Sequence, residues 1–220
     1  MGTERTLHDG VPVISVAEMR EADRRTIEGG VPSKELMRRA AQGVYDAADG
    51  AWRGKRTLII CGSGNNGGDG YALAEIMHDQ GLDVTLYRVS EKLSEDGSFY
   101  YNKCLDKNVP VVDLADTDPG FNFCSYDIYV DCIFGTGFAG EPREPQAGII
   151  RDINAQRERG VLIISVDINS GMNGDTGEAV LAVQSDLTVS IGYLKHGFFK
   201  GKAGTLIGRL VNVDIGIILP

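Results

Sequence analysis

The sequence predicts an α/β protein, a Rossmann-like three-layer sandwich with a mainly parallel sheet and helices on both faces. Three observations carry that reading. From residue 57 onward, short continuous apolar runs alternate with segments of helical periodicity. Several of these runs end in glycine-rich or aspartate-bearing loops, where an open parallel sheet binds its ligands. The 220 residues contain no repeat, low-complexity tract or linker, so 1–220 reads as one domain, long enough to bury its own core.

The elements follow in order. A helix is expected from Ser15, because Ser15 and Glu18 have capping-box spacing. Met19, Ala22 and Ile27 give it a broken apolar stripe, and Gly29 and Gly30 stop it. A second helix spans 33–48, with Leu36, Met37, Ala40, Ala41 and Val44 on one face. Both precede the first strand, so they must pack on the sheet from outside or offer a surface to a partner. The apolar run 57–61 is a strand covered on both faces. After it come the loop 62–70, a helix over 69–80 ended by Gly81, a strand over 84–89, a helix over 94–106, a strand over 109–114 and a polar loop over 115–122. A strand over 126–131 leads into a second glycine-rich loop, 134–140. A helix over 145–159, a strand over 161–166, a turn at 174–177 and strands over 186–191 and 209–213 complete the pattern.

Composition excludes some partners. With 31 acidic against 22 basic residues and a net charge of −9, a nucleic-acid partner is disfavoured. An anionic small ligand stays open, because backbone N–H groups can hold it. No apolar run approaches the ~18 residues of a membrane span, and the polar N-terminus has no secretory apolar region. The expectation is a cytoplasmic protein without a membrane partner. Cys61, Cys104, Cys124 and Cys132 lack C-x-x-C spacing, so they indicate neither a zinc site nor a redox pair. His8, His78 and His196 have no visible partner, and no nucleophile elbow supports a Ser-His-Asp triad.

Three loops carry the chemistry. The first, Gly62-Ser63-Gly64-Asn65-Asn66-Gly67-Gly68-Asp69-Gly70, contains a formal G-x-G-x-x-G between a strand and a helix. An ordinary dinucleotide site wants an acid at the end of the second strand, and this chain has Arg88 there. The second loop runs from Asp131 through Gly135, Thr136, Gly137, Phe138 and Ala139 to Gly140. In the third, Asp167 ends an apolar strand and Ser170 and Gly171 follow in a turn. Asp69, Asp131 and Asp167 can thus reach one crevice. Like charges raise one another's pKa, so either a cation neutralises them or one carboxyl keeps a proton and acts as an acid. Asn66 and Ser170 add neutral oxygens, a set that suits a hard cation such as potassium without selecting it. Lys195 follows a strand, and either reaches the same crevice or lies in solvent.

Together, residues 62–70, 130–140, 166–171 and 186–197 resemble the NAD(P)H-hydrate epimerase family, the YjeF N-terminal domain. The resemblance covers 15–216, and its most specific part is Gly64-Asn65-Asn66-Gly67-Gly68-Asp69-Gly70. It implies a Rossmann-like homodimer that interconverts the R and S forms of hydrated NADH and NADPH, feeding a separate S-specific dehydratase. It implies one potassium ion per subunit, held by Asn66, Asp131 and Ser170. It implies substrate contacts from Asn65, Asn66, Gly67, Gly68 and Asp69, from Gly135, Thr136, Gly137, Phe138, Ala139, Gly140 and Glu141, and from Asp167. Chemically, the ring nitrogen can expel the hydroxyl once an acid protonates it, and water then returns to either face; ring opening and reclosure is the other route. Asp167 is the expected acid–base residue. The family pattern has proline where this chain has Asn169, which removes a rigid turn beside Ser170. The resemblance also implies an alternative, a non-catalytic nucleotide-binding or scaffold module, since it extends to a domain of an mRNA-decapping scaffold and to a protein reported to bind apolipoprotein. The presence of Asn66, Asp69, Asp131, Asp167 and Ser170 together favours the enzyme.

Overall fold

The computed structural model describes residues 10–116 and 123–219, so His8 and most of the polar loop 115–122 lie outside the described residues. Two helices come first. In α1 (Val16–Glu28), Ser15 caps as expected: its hydroxyl accepts from the Glu18 N–H, and the Glu18 carboxylate accepts from the Ser15 N–H at 2.7 Å. The apolar face of α2 (Ser33–Ala47) buries Leu36, Met37, Ala40, Ala41 and Val44.

The main sheet contains β2 (Arg56–Cys61), β3 (Asp83–Arg88), β4 (Val111–Asp113), β5 (Ile128–Cys132), β6 (Leu162–Val166), β7 (Ser185–Ile191) and β9 (Ile207–Val213). Its order is β4-β3-β2-β5-β6-β7-β9, and every pairing is parallel rather than mainly so. Strand order reverses between β2 and β5, and such a reversal opens a crevice at the carboxyl ends of the strands. Alternation along each strand sends Ile59, Cys61, Val130 and Ile164 into the core shared with α1, α2, α3 (Asn65–Asp79) and α4 (Glu95–Asp106). Leu58, Ile60, Tyr129 and Ile163 point the other way, onto α5 (Gln146–Glu158). Both faces are therefore covered, as the continuous apolar runs require.

Two features were not expected. β1 (Val13–Ile14) pairs in parallel with β8 (Leu194–Lys195), joining the two halves of the chain. A short α6 (Ala203–Leu206) precedes β9. Two-residue strands carry no periodicity, so sequence patterning cannot reveal them.

The first glycine-rich segment differs more. α3 begins at Asn65, not at 69, so only Gly62, Ser63 and Gly64 form loop. None of the glycines from 62 to 70 has positive φ. All but Gly64 are close-approach glycines: a Cβ on Gly62 would lie 2.0 Å from the Ile133 carbonyl oxygen, and one on Gly67 would lie 2.1 Å from that of Gly62. Gly70 abuts Cys61 and Cys132, and Gly68 abuts Met37. The helix thus presses onto β2 and β5 in a way that any side chain would prevent.

Candidate functional site

The crevice at the β2–β5 reversal holds a cavity of about 570 Å³. Ser63, Gly64, Asn65, Asn66 and Asp69 form one side, and residues 133–138 with Asp167 form another. Met19, Arg20, Asp23 and Ile27 of α1 close it from outside the sheet. Helix α2, the second of the two early helices, contributes Leu36, Met37 and Ala40. Gly64 is the N-cap of α3 and has no side chain to cap it, which leaves the first-turn N–H groups open to a ligand.

Asp167 follows β6 with φ of +65°, the left-handed region that non-glycine residues seldom occupy. Three bonds hold it there. Its N–H donates to the Val189 carbonyl at 2.8 Å, the Thr136 N–H donates to Oδ2 at 3.0 Å, and the Lys195 ammonium donates to Oδ1 at 2.7 Å. A Cβ on Gly135 would lie 3.0 Å from Asp167 Oδ2, so glycine is what lets this loop close over the carboxylate. Lys195 is fully buried, not solvated. It spends its other donors on Ser190 Oγ at 3.2 Å and the Ile191 carbonyl at 2.8 Å.

Asp131 lies beneath this layer, fully buried on β5. Oδ2 accepts from Ser165 Oγ and from the Ser170 N–H, both at 2.9 Å; Oδ1 accepts from the Ile133 N–H and from Ser170 Oγ. Burial pushes its pKa up, and these hydrogen bonds hold it back. Asn66 sits nearby in the fold. Its Nδ2 donates to the Phe134 carbonyl at 3.0 Å, while its buried Oδ1 has no hydrogen-bond partner among the described residues. Ser170 Oγ also accepts from the Phe134 N–H at 2.8 Å, so Asn66, Asp131 and Ser170 converge on Phe134 and its neighbours.

Asn169 explains how Ser170 is placed without proline. Its fully buried amide donates to the Val183 carbonyl at 2.9 Å, and to Ser185 Oγ and the Leu206 carbonyl at 3.0 Å. Its Oδ1 accepts from Thr188 Oγ1 at 2.7 Å. Side-chain bonds supply the rigidity that a proline ring would have supplied.

Some expected contact residues lie elsewhere. Gly67 and Gly68 are packing positions behind the cavity wall. Gly135, Thr136, Gly137 and Phe138 line the cavity, but Ala139, Gly140 and Glu141 line an adjoining hollow of about 430 Å³ that shares only Phe138 with it. Phe138 stacks on Phe134 with ring centroids 4.3 Å apart. Arg88 is not in the cavity; it pairs with Asp113 and lies over the Tyr101 ring. Sequence reasoning missed the α1 wall. The available signal was Asp23, which sits four residues from both Met19 and Ile27 and so puts a carboxyl in the middle of an apolar stripe.

Three carboxyls in the cavity, Asp23, Asp69 and Asp96, have no hydrogen-bond or ion-pair partner among the described residues. Burial, followed by the charges of Asp167 and Asp23, pushes the pKa of Asp69 well above its ordinary value. Burial, followed by the charge of Asp167, raises Asp23 to about 6, against the opposing pull of Lys195. The arrangement can therefore hold and release protons at a ligand while keeping one buried ion pair fixed.

Comparison with known proteins agrees with this geometry. A family model described as YjeF-related protein N-terminus matches residues 33–197. The chain is 32% identical over 206 residues to the NAD(P)H-hydrate epimerase of Limosilactobacillus fermentum, covering 91% of this chain and 95% of that one. It is 31% identical to the bifunctional NAD(P)H-hydrate repair enzyme Nnr of Coxiella burnetii, covering 91% of this chain but spanning only 40% of that longer protein. The crystal structure of yeast ynu0, at 25% identity, superimposes with a TM-score of 0.74 over 85% of this chain and 83% of that one. With a family model matched across the strands that build the cavity and an epimerase matched nearly end to end, the chain belongs to the YjeF-related protein N-terminus family.

Proposed function

We infer that the protein is an isomerase, an NAD(P)H-hydrate epimerase that interconverts the R and S forms of hydrated NADH and NADPH. The observation that carries this reading is the buried Lys195–Asp167 pair, whose strained carboxylate faces a cavity of about 570 Å³ beside an uncapped helix N-terminus. A binding module has little use for a left-handed aspartate pinned by a buried ammonium, since both cost free energy. The open N–H groups of α3 suit the diphosphate of a nucleotide. In the reaction, the carbon–oxygen bond beside the ring nitrogen breaks as the nitrogen lone pair moves in and the departing hydroxyl takes a proton. Water then adds to the other face and loses a proton. Asp167 is the acid–base residue at that carbon, with Lys195 fixing its orientation.

The donor set near Asn66 fits a potassium ion. Asn66 Oδ1 is a buried acceptor lacking a donor, and Asp131 and Ser170 supply one carboxylate and one hydroxyl close by. These residues would hold the ion, which would supply a fixed positive charge behind the cavity wall. We place the enzyme in the cytoplasm as a homodimer that works with a separate dehydratase, as expected from the sequence. No helix among the described residues is long and apolar enough to cross a membrane. Light scattering tests the dimer.

The test of function is a coupled assay. An S-specific dehydratase with its nucleotide consumes the S form of an R,S mixture of hydrated NADH in potassium buffer. Chromatography then follows the R form with and without this protein. Accelerated loss of R is expected, and Asp167→Asn should lower it by about 10² to 10⁴. Full turnover by that variant would remove Asp167 from the chemistry.

A further inference from the structure

We propose that Asp23 of α1 is a second catalytic residue of this site, the group that carries the exchangeable proton to and from the substrate hydroxyl. The proposal deepens the epimerase reading and rests on it.

Charge and geometry lead there. Four carboxyls line the cavity: Asp23 from α1, Asp69 from α3, Asp96 from α4 and Asp167 from the end of β6. One buried cation, Lys195 of β8, faces them, and its three donors are taken by Asp167, Ser190 and Ile191. Arg20, three residues before Asp23 on its own helix, lines the cavity with an exposed side chain. Asp167 thus has a counter-charge within bonding distance, whereas Asp23, Asp69 and Asp96 have none among the described residues. Carboxylates crowded in a shared, poorly solvated space relieve their repulsion by keeping protons. Burial and the charges of Asp167 and Asp23 push the Asp69 carboxyl well above its ordinary value, towards the protonated form. Asp23, at about 6, is the one that can gain and lose a proton near neutral pH, where proton transfer is most effective.

The second carboxyl also answers a stereochemical need. The R and S hydrates carry their hydroxyl on opposite faces of the ring. A group that protonates the departing oxygen on one face is poorly placed to deprotonate water arriving on the other. Asp23 and Asp167 come to the cavity from different elements, a helix outside the sheet and a strand end within it. In one direction, the Asp23 carboxyl gives its proton to the hydroxyl oxygen, the carbon–oxygen bond breaks, and the ring nitrogen becomes part of an iminium ion. Water then bonds to the carbon and passes a proton to the Asp167 carboxylate. The reverse reaction exchanges the roles, and solvent returns each carboxyl to its starting state.

The decisive experiment measures kcat and kcat/KM of the whole chain from pH 5 to 9 in the coupled assay, for the wild type, Asp23→Asn and Asp23→Glu. Carbon-13 NMR of labelled aspartate follows the Asp23 carboxyl in parallel. The wild-type rate should fall as pH rises past a limb near 6, with a carboxyl signal titrating at the same pH and missing from Asp23→Asn. Asp23→Asn should lose about 10² to 10⁴ in kcat with KM little changed, and should lose the limb; Asp23→Glu should restore much of the rate with the limb displaced. If the wild type does not accelerate epimerisation at all, the epimerase reading falls and this assignment falls with it. If the wild type is active and Asp23→Asn keeps its kcat, or loses rate but keeps the limb near 6, the assignment alone is overturned. An Asp23 carboxyl that titrates near 4 in the folded protein overturns it as well, whatever the variants do.

Discussion

The end of β5 and the cavity wall made by α1 and α3 hold the same functional group under opposite conditions. Asp131 on β5 is fully buried, yet four donors reach its two oxygens. Asp23 and Asp69 border open space and have no such partner among the described residues. A carboxylate met by several donors organises the backbone around it; one left unmatched stores free energy that a proton or a ligand can release. Residues 133–135 stay where they are because of the first kind. The second kind is what a reaction can use.

The sharpest way to break this contrast is Asp131→Ala. It strands donors from Ser165, Ile133 and Ser170 in a dry interior, and should cost at least about 3 kcal/mol in urea unfolding, together with all activity. Asn169→Pro comes next. It restores the family's usual residue but takes the Asn169 amide from the Val183 and Leu206 carbonyls and removes one of the two partners of the Thr188 hydroxyl, and should cost about 2 to 3 kcal/mol by the same measurement. A loss under half a kcal/mol would mean that the amide network is incidental.

Asp23→Asn should do the reverse, and stabilise the protein. The carboxyl titrates at about 6 in the folded state, against 3.8 in an ordinary setting, so the folded state binds more protons between these values. Wild-type stability therefore falls as pH rises through that window, and below it Asp23 is neutral in both states. At pH 8 the variant should gain about 1 to 2 kcal/mol, a figure discounted for the residue's partial exposure; at pH 4 the gain should shrink towards zero. Thermal melts at the two pH values check both the sign and the window. The smallest effect belongs to Glu21→Gln. Glu21 lies on the same helix as Asp23 but is open to solvent, with its pKa held at about 2 by Arg24 and Arg25. Its melting temperature and turnover should match the wild type, because solvent screens exposed ion pairs.

The parts of this design that depend on periodicity were legible in the sequence. The parallel sheet, the capping box at Ser15 and the aspartates ending β5 and β6 all stand where their patterns put them. Residues that act through tertiary closure were not legible. Lys195 looks like any lysine after a strand until β8 carries it into the interior, and Asp23 looks like one charge among several on α1 until the helix docks. The segment from Gly62 to Gly70 misled in a specific way. Consecutive glycines suggest loop because they suit turns, but here four of them clear space for a helix against two strands, a need visible only once Ile133, Met37 and Cys132 are in place.

The short pairing of Val13–Ile14 with Leu194–Lys195 has a consequence for how the molecule is made. The ammonium that fixes Asp167 rides on a strand whose partner, Val13–Ile14, is made much earlier and must wait for it. Until the segment beyond it emerges, β7 lacks its neighbour β9. Contacts of such long sequence separation fold slowly, and they leave apolar strands such as β2 uncovered in the growing polypeptide. A partly synthesised chain therefore lacks the ammonium that fixes Asp167 until Leu194–Lys195 reach Val13–Ile14.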